Sequence, residues 1–302
     1  MPGPIRILMQ TTIPYEADNW HIGRFSLLRN HLASLKGDDG KFLYEVVARN
    51  REVDAAGNER VLVGLDKSEF DELWLFAIDM GEGLTVPDCE GITRFRQRGG
   101  GILATRDHQD LGTSLCTLGG IGNAHFFHSK NQESDTSRHA PDDPYNTSIS
   151  WPNYHSGANG DYQTIVVQSA HELMRNPGSP AGVVEFFPAH PHEGAVGVPP
   201  DEPHASVVAT GQSKTTGNKF NLVVAFESAV DKHGNKLGRG IAESSFHHLA
   251  DYNWDTDMGC PSFLEEPPGD GYKRNPLALN DIKTYVSNAA SWLAGRHETS
   301  QK

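Results

Sequence analysis

From Ile5 to Thr105 the chain alternates short apolar runs with amphipathic ones, and that alternation confines it to a sheet covered by helices. Ile5–Met9 reads as a strand. Phe25, Leu28, Leu32 and Leu35 then recur at helical spacing, and Leu43–Ala48 reads as a second strand. Phe70–Ile78 contains LWLFAI, the strongest buried-strand signature in the chain. Pro87 opens a helix with Cys89, Ile92 and Phe95 on one face, Gly99–Gly101 ends it, and Ile102–Thr105 follows as a strand. The expected fold class is α/β: a mostly parallel central sheet with helices on both faces, in which Ile5–Met9, Leu73–Ile78 and Ile102–Thr105 are neighbours.

Strands resume at Thr164–Val167, Val183–Phe187, Ser206–Ala209 and Leu222–Phe226, with a shorter candidate at Gly240–Glu243. The turn residues between them predict an antiparallel extension of the same sheet. Ile282, Tyr285, Val286, Ala289, Trp292 and Leu293 form the apolar stripe of a closing helix that Asn280 is placed to cap. A single domain over 1–302 is expected, with an irregular polar excursion at 119–160. That excursion carries His125, His128, His139, Trp151, Tyr154 and His155, and reads equally well as a cover over a polar ligand or as a surface excursion.

Composition limits the partners. Net charge is −13 with no basic stripe, which argues against nucleic acid and anionic membrane surfaces. No apolar run reaches the ~20 residues of a membrane span. The start, MPGPIRILMQTT, lacks the pattern of a signal peptide and reads as the first strand instead. Cys89, Cys116 and Cys260 are odd in number and widely spaced, so no disulfide framework and no cysteine zinc site is expected. Cys89 and Cys116 are expected reduced and buried on apolar helix faces, in a cytoplasmic setting. No P-loop occurs, and GGGIL at Gly99–Leu103 precedes its strand, so no nucleotide cofactor is expected. Self-association is left open.

Three clusters carry chemistry. RDHQDLG (Arg106–Gly112) follows the Ile102–Thr105 strand, at the sheet edge where α/β folds hold ligands. The turn offers Asp107 and His108 but no Ser or Cys, so nucleophilic catalysis is disfavoured. His108 reads as metal ligand or general base, with local capping by Asp107 or Asp110 as the plainer alternative. HPHEG (His190–Gly194) presents His192, with His190 two residues away, and Glu193 as a candidate general base. FHHLADYNWD (Phe246–Asp255) brings His247 and His248, of which one is expected in the site. Arg106, Asp251, Asn253 and Trp254 are candidates for substrate contacts, and Asp251 or Asp255 for orienting an imidazole. A divalent metal, zinc foremost, would take its ligands from His108, His192, His247 and His248.

FDELWLFAIDMGEGLT, FRQRGGGILATRDHQDLG and GRGIAESSFHHLADYNW together resemble the class I glutamine amidotransferase-like superfamily, nearest its trehalose-utilization (ThuA-like) branch. The resemblance covers Ile5–Leu118 and Gly238–Leu293. It implies a flavodoxin-like three-layer sandwich, a carbohydrate-related or other small polar ligand, and compatibility with a histidine-bound metal. The chain departs from glutaminases in having Arg106-Asp107-His108 where they carry a cysteine, which puts glutamine hydrolysis in doubt. The leading reading is therefore an enzyme of hydrolase or isomerase/lyase type acting on a small polar substrate, with Asp107 or Glu193 as base. The alternative is a non-catalytic ligand-binding or assembly protein lacking the nucleophile. A thiol hydrolase built on Cys260 has no local motif behind it.

Overall fold

The computed structural model describes residues 3–125, 142, 146, 149–231 and 233–295. His128 and His139 lie outside them. The strands are β1 (Ile5–Thr11), β2 (Tyr44–Arg49), β3 (Glu72–Phe76), β4 (Gly101–Thr105), β5 (Tyr162–Thr164), β6 (Val166–Val167), β7 (Phe186–Pro188), β8 (Ala205–Gln212), β9 (Lys219–Phe226), β10 (Ala229–Val230), β11 (Lys236–Leu237) and β12 (Gly240–Glu243). The α-helices are α1 (Ser26–Ser34), α2 (Val86–Gln97), α3 (Asp251–Trp254), α4 (Gly271–Arg274) and α5 (Leu279–Leu293).

Eight strands form one sheet in the order β2-β1-β3-β4-β12-β9-β8-β6. The pairings from β2 through β12 are parallel, and those of β12 with β9, β9 with β8 and β8 with β6 are antiparallel. Strand alternation divides the core. Ile7, Met9, Trp74, Phe76 and Leu103 face α1 and α5, while Leu8, Leu73, Leu75, Ile102 and Ala104 face α2. Both faces are thus covered, which is why LWLF is apolar without interruption. Complete burial of Trp74 and Phe76 stabilises by about 1.5–3 kcal/mol each. The fold is the α/β flavodoxin-like sandwich that the family resemblance implies, with the antiparallel extension that the turn residues predict.

Four local expectations need correction. First, β4 does not run directly into an α-helix among the described residues. Gln109 (φ 40°), Gly112 (φ 79°) and Leu118 (φ 44°) hold left-handed backbone, and 106–117 runs as turns into a 3₁₀ segment at Leu118–His125.

Second, Cys116 is therefore not on a helix face. Its loop returns beside the first turn of α2, where Cys116 and Cys89 are half-buried and joined in a disulfide with Cα atoms 6.1 Å apart. The argument for a reducing, cytoplasmic setting rested on there being no such bond. No helix among the described residues is long and apolar enough to cross a membrane.

Third, α5 starts before Asn280, with Ala278 at its cap position and no side-chain cap. Asp281 instead accepts hydrogen bonds from Asn176 Nδ2 and from the Glu185 and Phe186 amides, fastening β7 to the helix.

Fourth, the strand preceding HPHEG is not in the main sheet. β7 pairs only with β5, in a separate antiparallel two-stranded sheet.

Candidate functional site

The loops after β4, β7 and β12 meet at the carboxyl edge of the parallel strands. Gly194 allows this closeness: a Cβ there would lie 2.3 Å from the Ser244 carbonyl oxygen and 2.6 Å from that of Asp107. Phe246 N–H donates to the Arg106 carbonyl at 2.9 Å, locking the β12 loop to the β4 loop.

Asp107 is the centre of the cluster. Its Oδ1 accepts from Ser245 Oγ at 2.6 Å, and its buried Oδ2 has no hydrogen-bond partner among the described residues. Around Oδ2 stand His190 Nε2 at 3.6 Å, His247 Nε2 at 3.6 Å and His108 Nε2 at 3.7 Å. The His190 and His247 rings stack with centroids 3.5 Å apart.

Hydrogen bonds on the far side of these rings fix their tautomers. Asn253 Nδ2 donates to Asn159 Oδ1 at 2.8 Å and to the Ala189 carbonyl at 3.0 Å, so the Asn253 amide oxygen faces His247 Nδ1 at 3.2 Å. Asn159 Oδ1 is an acceptor, and it faces His190 Nδ1 at 2.8 Å. Both Nδ1 atoms therefore carry the proton, and both Nε2 atoms present lone pairs to a carboxylate oxygen. Burial, followed by neighbouring imidazoles, holds both histidines well below their ordinary value, so neither supplies a proton to separate them.

Asp107 Oδ2, His190 Nε2 and His247 Nε2 are thus three buried Lewis bases within 4.8 Å of one another. Asp107, His190 and His247 can hold a metal ion. Zinc bonds of 2.0–2.1 Å place tetrahedral ligand atoms about 3.4 Å apart, close to the spacings found. The Asn253 and Asn159 acceptors behind the imidazoles are the outer shell that such ligands need. His108, a fifth exposed, stands at the open side, and burial lowers its pKa against the opposing pull of Asp107.

The other sequence candidates lie around this centre in different company. His192 turns aside at Pro191: its ring stands at 77° to that of His190, its Nε2 contacts Glu266 Oε1 at 3.0 Å, and its Nδ1 lies 3.3 Å from Asn153 Oδ1. His248 points away from Asp107: it follows His247 in the 3₁₀ turn Phe246–Leu249, not on the extended backbone expected, and successive side chains of such a turn diverge by about 120°. Its Nε2 donates to Glu193 Oε2 at 3.0 Å, and its Nδ1 faces Glu243 Oε2 at 3.6 Å. Burial would depress this imidazole, but the two carboxylates prevail and raise it to about 10, making it a buried imidazolium. Glu193 also accepts from Ser156 Oγ and Gln163 Nε2, so it is a structural anchor rather than a base facing the cluster.

Arg106 donates to the Leu111, Gln109 and His125 carbonyls and so shapes its own turn. Asp251 accepts from Ser26 and Leu27 at the start of α1. Trp254 Nε1 donates to the His248 carbonyl at 2.8 Å. Of the four proposed substrate contacts only Asn253 touches the cluster, from behind His247. His190, weighted below His192 in the sequence, is the HPHEG residue that enters. Asn159 had no sequence signature. Ser245 had one, because a serine two residues before His247 is positioned to cap that turn.

The chain matches no known family profile and no curated protein. Among solved structures it is similar to a ThuA-like protein from Parabacteroides merdae (14% identity, 97% of this chain and 90% of that one, TM-score 0.49). It is also similar to the N-terminal domain of mmIFT52 (10% identity, 95% and 96%, TM-score 0.50) and to the glutaminase domain of Trypanosoma brucei CTPS (12% identity, 95% and 94%, TM-score 0.41). The neighbours thus include both groups that the sequence resembles. At such identities the likeness concerns fold alone.

Proposed function

We propose that this chain is a metal-dependent enzyme that acts on a small polar, carbohydrate-related substrate, as a hydrolase or an isomerase/lyase. The observation that carries the reading is the buried grouping of Asp107 Oδ2, His190 Nε2 and His247 Nε2, all within 4.8 Å of one another. Three protein ligands with an open position are the arrangement of catalytic rather than structural zinc sites. A divalent ion held by these three residues would supply Lewis acidity and the activation of a water molecule.

The chain's own groups do the rest. Asn253 and Asn159 hold the imidazoles in the ligating tautomer. Ser245 orients the carboxylate. His108, neutral and at the open side, takes or returns a proton beside the reacting group. The absence of Ser or Cys on the β4 turn favours an activated water over a covalent intermediate. The carbohydrate element rests on the sequence resemblance.

The test is metal content and zinc titration of the purified protein. One ion per chain is expected, lost in Asp107→Asn and His190→Ala but kept in His192→Ala. Turnover of a glycoside and ester panel should then require the ion. A protein that takes up no divalent ion, or keeps it in Asp107→Asn, does not work this way. Uptake without turnover would favour the ligand-binding alternative.

A further inference from the structure

A cavity of about 470 Å³ opens near the Asp107 cluster, lined in part by Trp20, Asp79, Met80, Leu111 and Phe263. It sits where β1 and β3 end side by side. The chain leaves β1 toward β2 on one side and leaves β3 toward β4 on the other. That divergence opens a crevice at the carboxyl edge of a parallel sheet. The volume lies in the ordinary range for small-molecule sites.

The cavity shares its walls with the Asp107 centre. The turn after β4 gives Asp107 and His108 to the centre and Leu111 to the cavity, and Leu111 N–H donates to the His108 carbonyl at 3.1 Å. The Pro261–Pro267 segment gives Phe263 to the cavity and, through Glu266, holds His192. Trp20 is a wall common to both: it lines the cavity, and its indole stands edge-on to the His247 ring with centroids 4.7 Å apart. The outer wall is fastened, because Ser262 N–H donates to Asp18 Oδ1 at 2.7 Å and Arg24 donates to the Gly259 carbonyl.

Chemically the cavity is one-sided. Trp20, Ile13, Ile78 and Leu111 supply an apolar floor, and Met80 and Phe263 stand 56% and 57% exposed at its rim. Glu16, Asp79 and Glu82 contribute carboxylates. The sole cation lining it among the described residues, Arg51, donates from Nη1 and Nη2 to the Glu82 and Gly57 carbonyls. An anion entering here meets three acidic residues against one guanidinium that is already partly engaged. A group with an apolar body and a hydrogen-bond donor meets complementary surfaces on both counts.

We propose that this cavity is the recognition subsite for the part of the ligand remote from the metal centre, and that it takes a non-anionic group bearing a hydroxyl or ammonium donor on an apolar body. The placement of the reacting end rests on the metal-centre reading; the subsite itself does not.

The experiment uses three probes that share one ring: cyclohexylmethanol, cyclohexylmethylamine and cyclohexanecarboxylate. Each is titrated calorimetrically, and by indole N–H chemical shift, into the full chain and into Asp107→Asn, which removes the metal ligand without touching the cavity. Binding of the alcohol, the amine or both is expected, at least tenfold tighter than the carboxylate, and unchanged in Asp107→Asn. Whichever neutral or cationic head binds tighter identifies the donor. Phe263→Ala and Met80→Ala, both at exposed rim positions that should leave folding intact, should each weaken binding at least threefold. Equal binding of the carboxylate, no binding of any probe, or affinities indifferent to both rim variants would overturn the subsite. Absence of metal uptake by the unmutated chain, with probe binding intact, would overturn only the metal reading.

Discussion

His190 and His247 stack face to face at 3.5 Å, and each turns an unprotonated Nε2 toward the same oxygen of Asp107. Without a cation this packing sets three electron-rich atoms against one another. Asp107→Asn should relieve it, since the amide can keep the Ser245 contact and donate to an imidazole. The ion-free variant is expected to melt at or above the wild-type temperature while zinc affinity falls at least 100-fold. A variant that is both destabilised and still loaded would contradict the assignment.

Asn253 tests the outer shell. Its removal leaves His247 Nδ1 without its buried acceptor, which costs about 1–3 kcal/mol. Asn253→Ala should also lower metal affinity 10–100-fold, the usual range for loss of an orienting partner. Equal affinity in the two proteins, by competition with a chelator, would remove Asn253 from the site.

His248 makes a pH-dependent contribution with a definite sign. Its folded-state pKa of about 10 lies above the unfolded value near 6.5. The stabilisation is therefore complete below about pH 6.5 and is lost as pH rises toward 10. Denaturation midpoints of the wild type should fall between pH 7 and 10, and those of His248→Gln should fall less. His248→Ala, which leaves Glu193 and Glu243 buried without their cation, should cost about 3–5 kcal/mol. A pH-independent wild type would show that the imidazolium is not there.

The Cys89–Cys116 bond predicts a thiol count. Under denaturing, non-reducing conditions only Cys260 should react, and prior reduction should expose two more thiols. Replacing both half-cystines by serine should cost about 3 kcal/mol. Three reactive thiols before reduction would refute the bond.

Gly194→Ala should be among the most damaging small substitutions in the chain. The added methyl would overlap the Ser244 and Asp107 carbonyl oxygens, so the HPHEG loop must lift away from the β4 turn. Metal uptake should fail even where circular dichroism shows the sheet intact. Full uptake in this variant would mean that the loops do not depend on that contact.

The parallel core was legible because burial on both faces leaves a coarse imprint: LWLF and GILAT could hardly be anything but central strands. The meeting of the two loops was legible for a related reason, since RDHQDLG and SSFHH are anchored to β4 and β12. Which side chains surround Asp107 was less so. Choosing His190 over His192 depends on the bend at Pro191, and periodicity does not reach into a turn. The true partner of Glu193 is His248, a contact between two loops far apart in sequence. The disulfide was not legible in cysteine number or spacing, because the approach of Cys116 to Cys89 depends on how the loop after β4 turns back, with Gln109 and Leu118 in left-handed backbone.

The separate two-stranded sheet of β5 and β7 gives the cluster a mechanical meaning. Asp107 and His247 leave strands of the main sheet, whereas His190 leaves β7. An ion gripped by all three would act as a clasp between two sheets that share no ladder, and none of its ligands would be pre-assembled in the unfolded chain. Part of its binding energy would then appear as cohesion of the tertiary structure. Chelation would loosen the β7 flap first, and amide exchange around Phe186–Pro188 would quicken before that of β3 or β4.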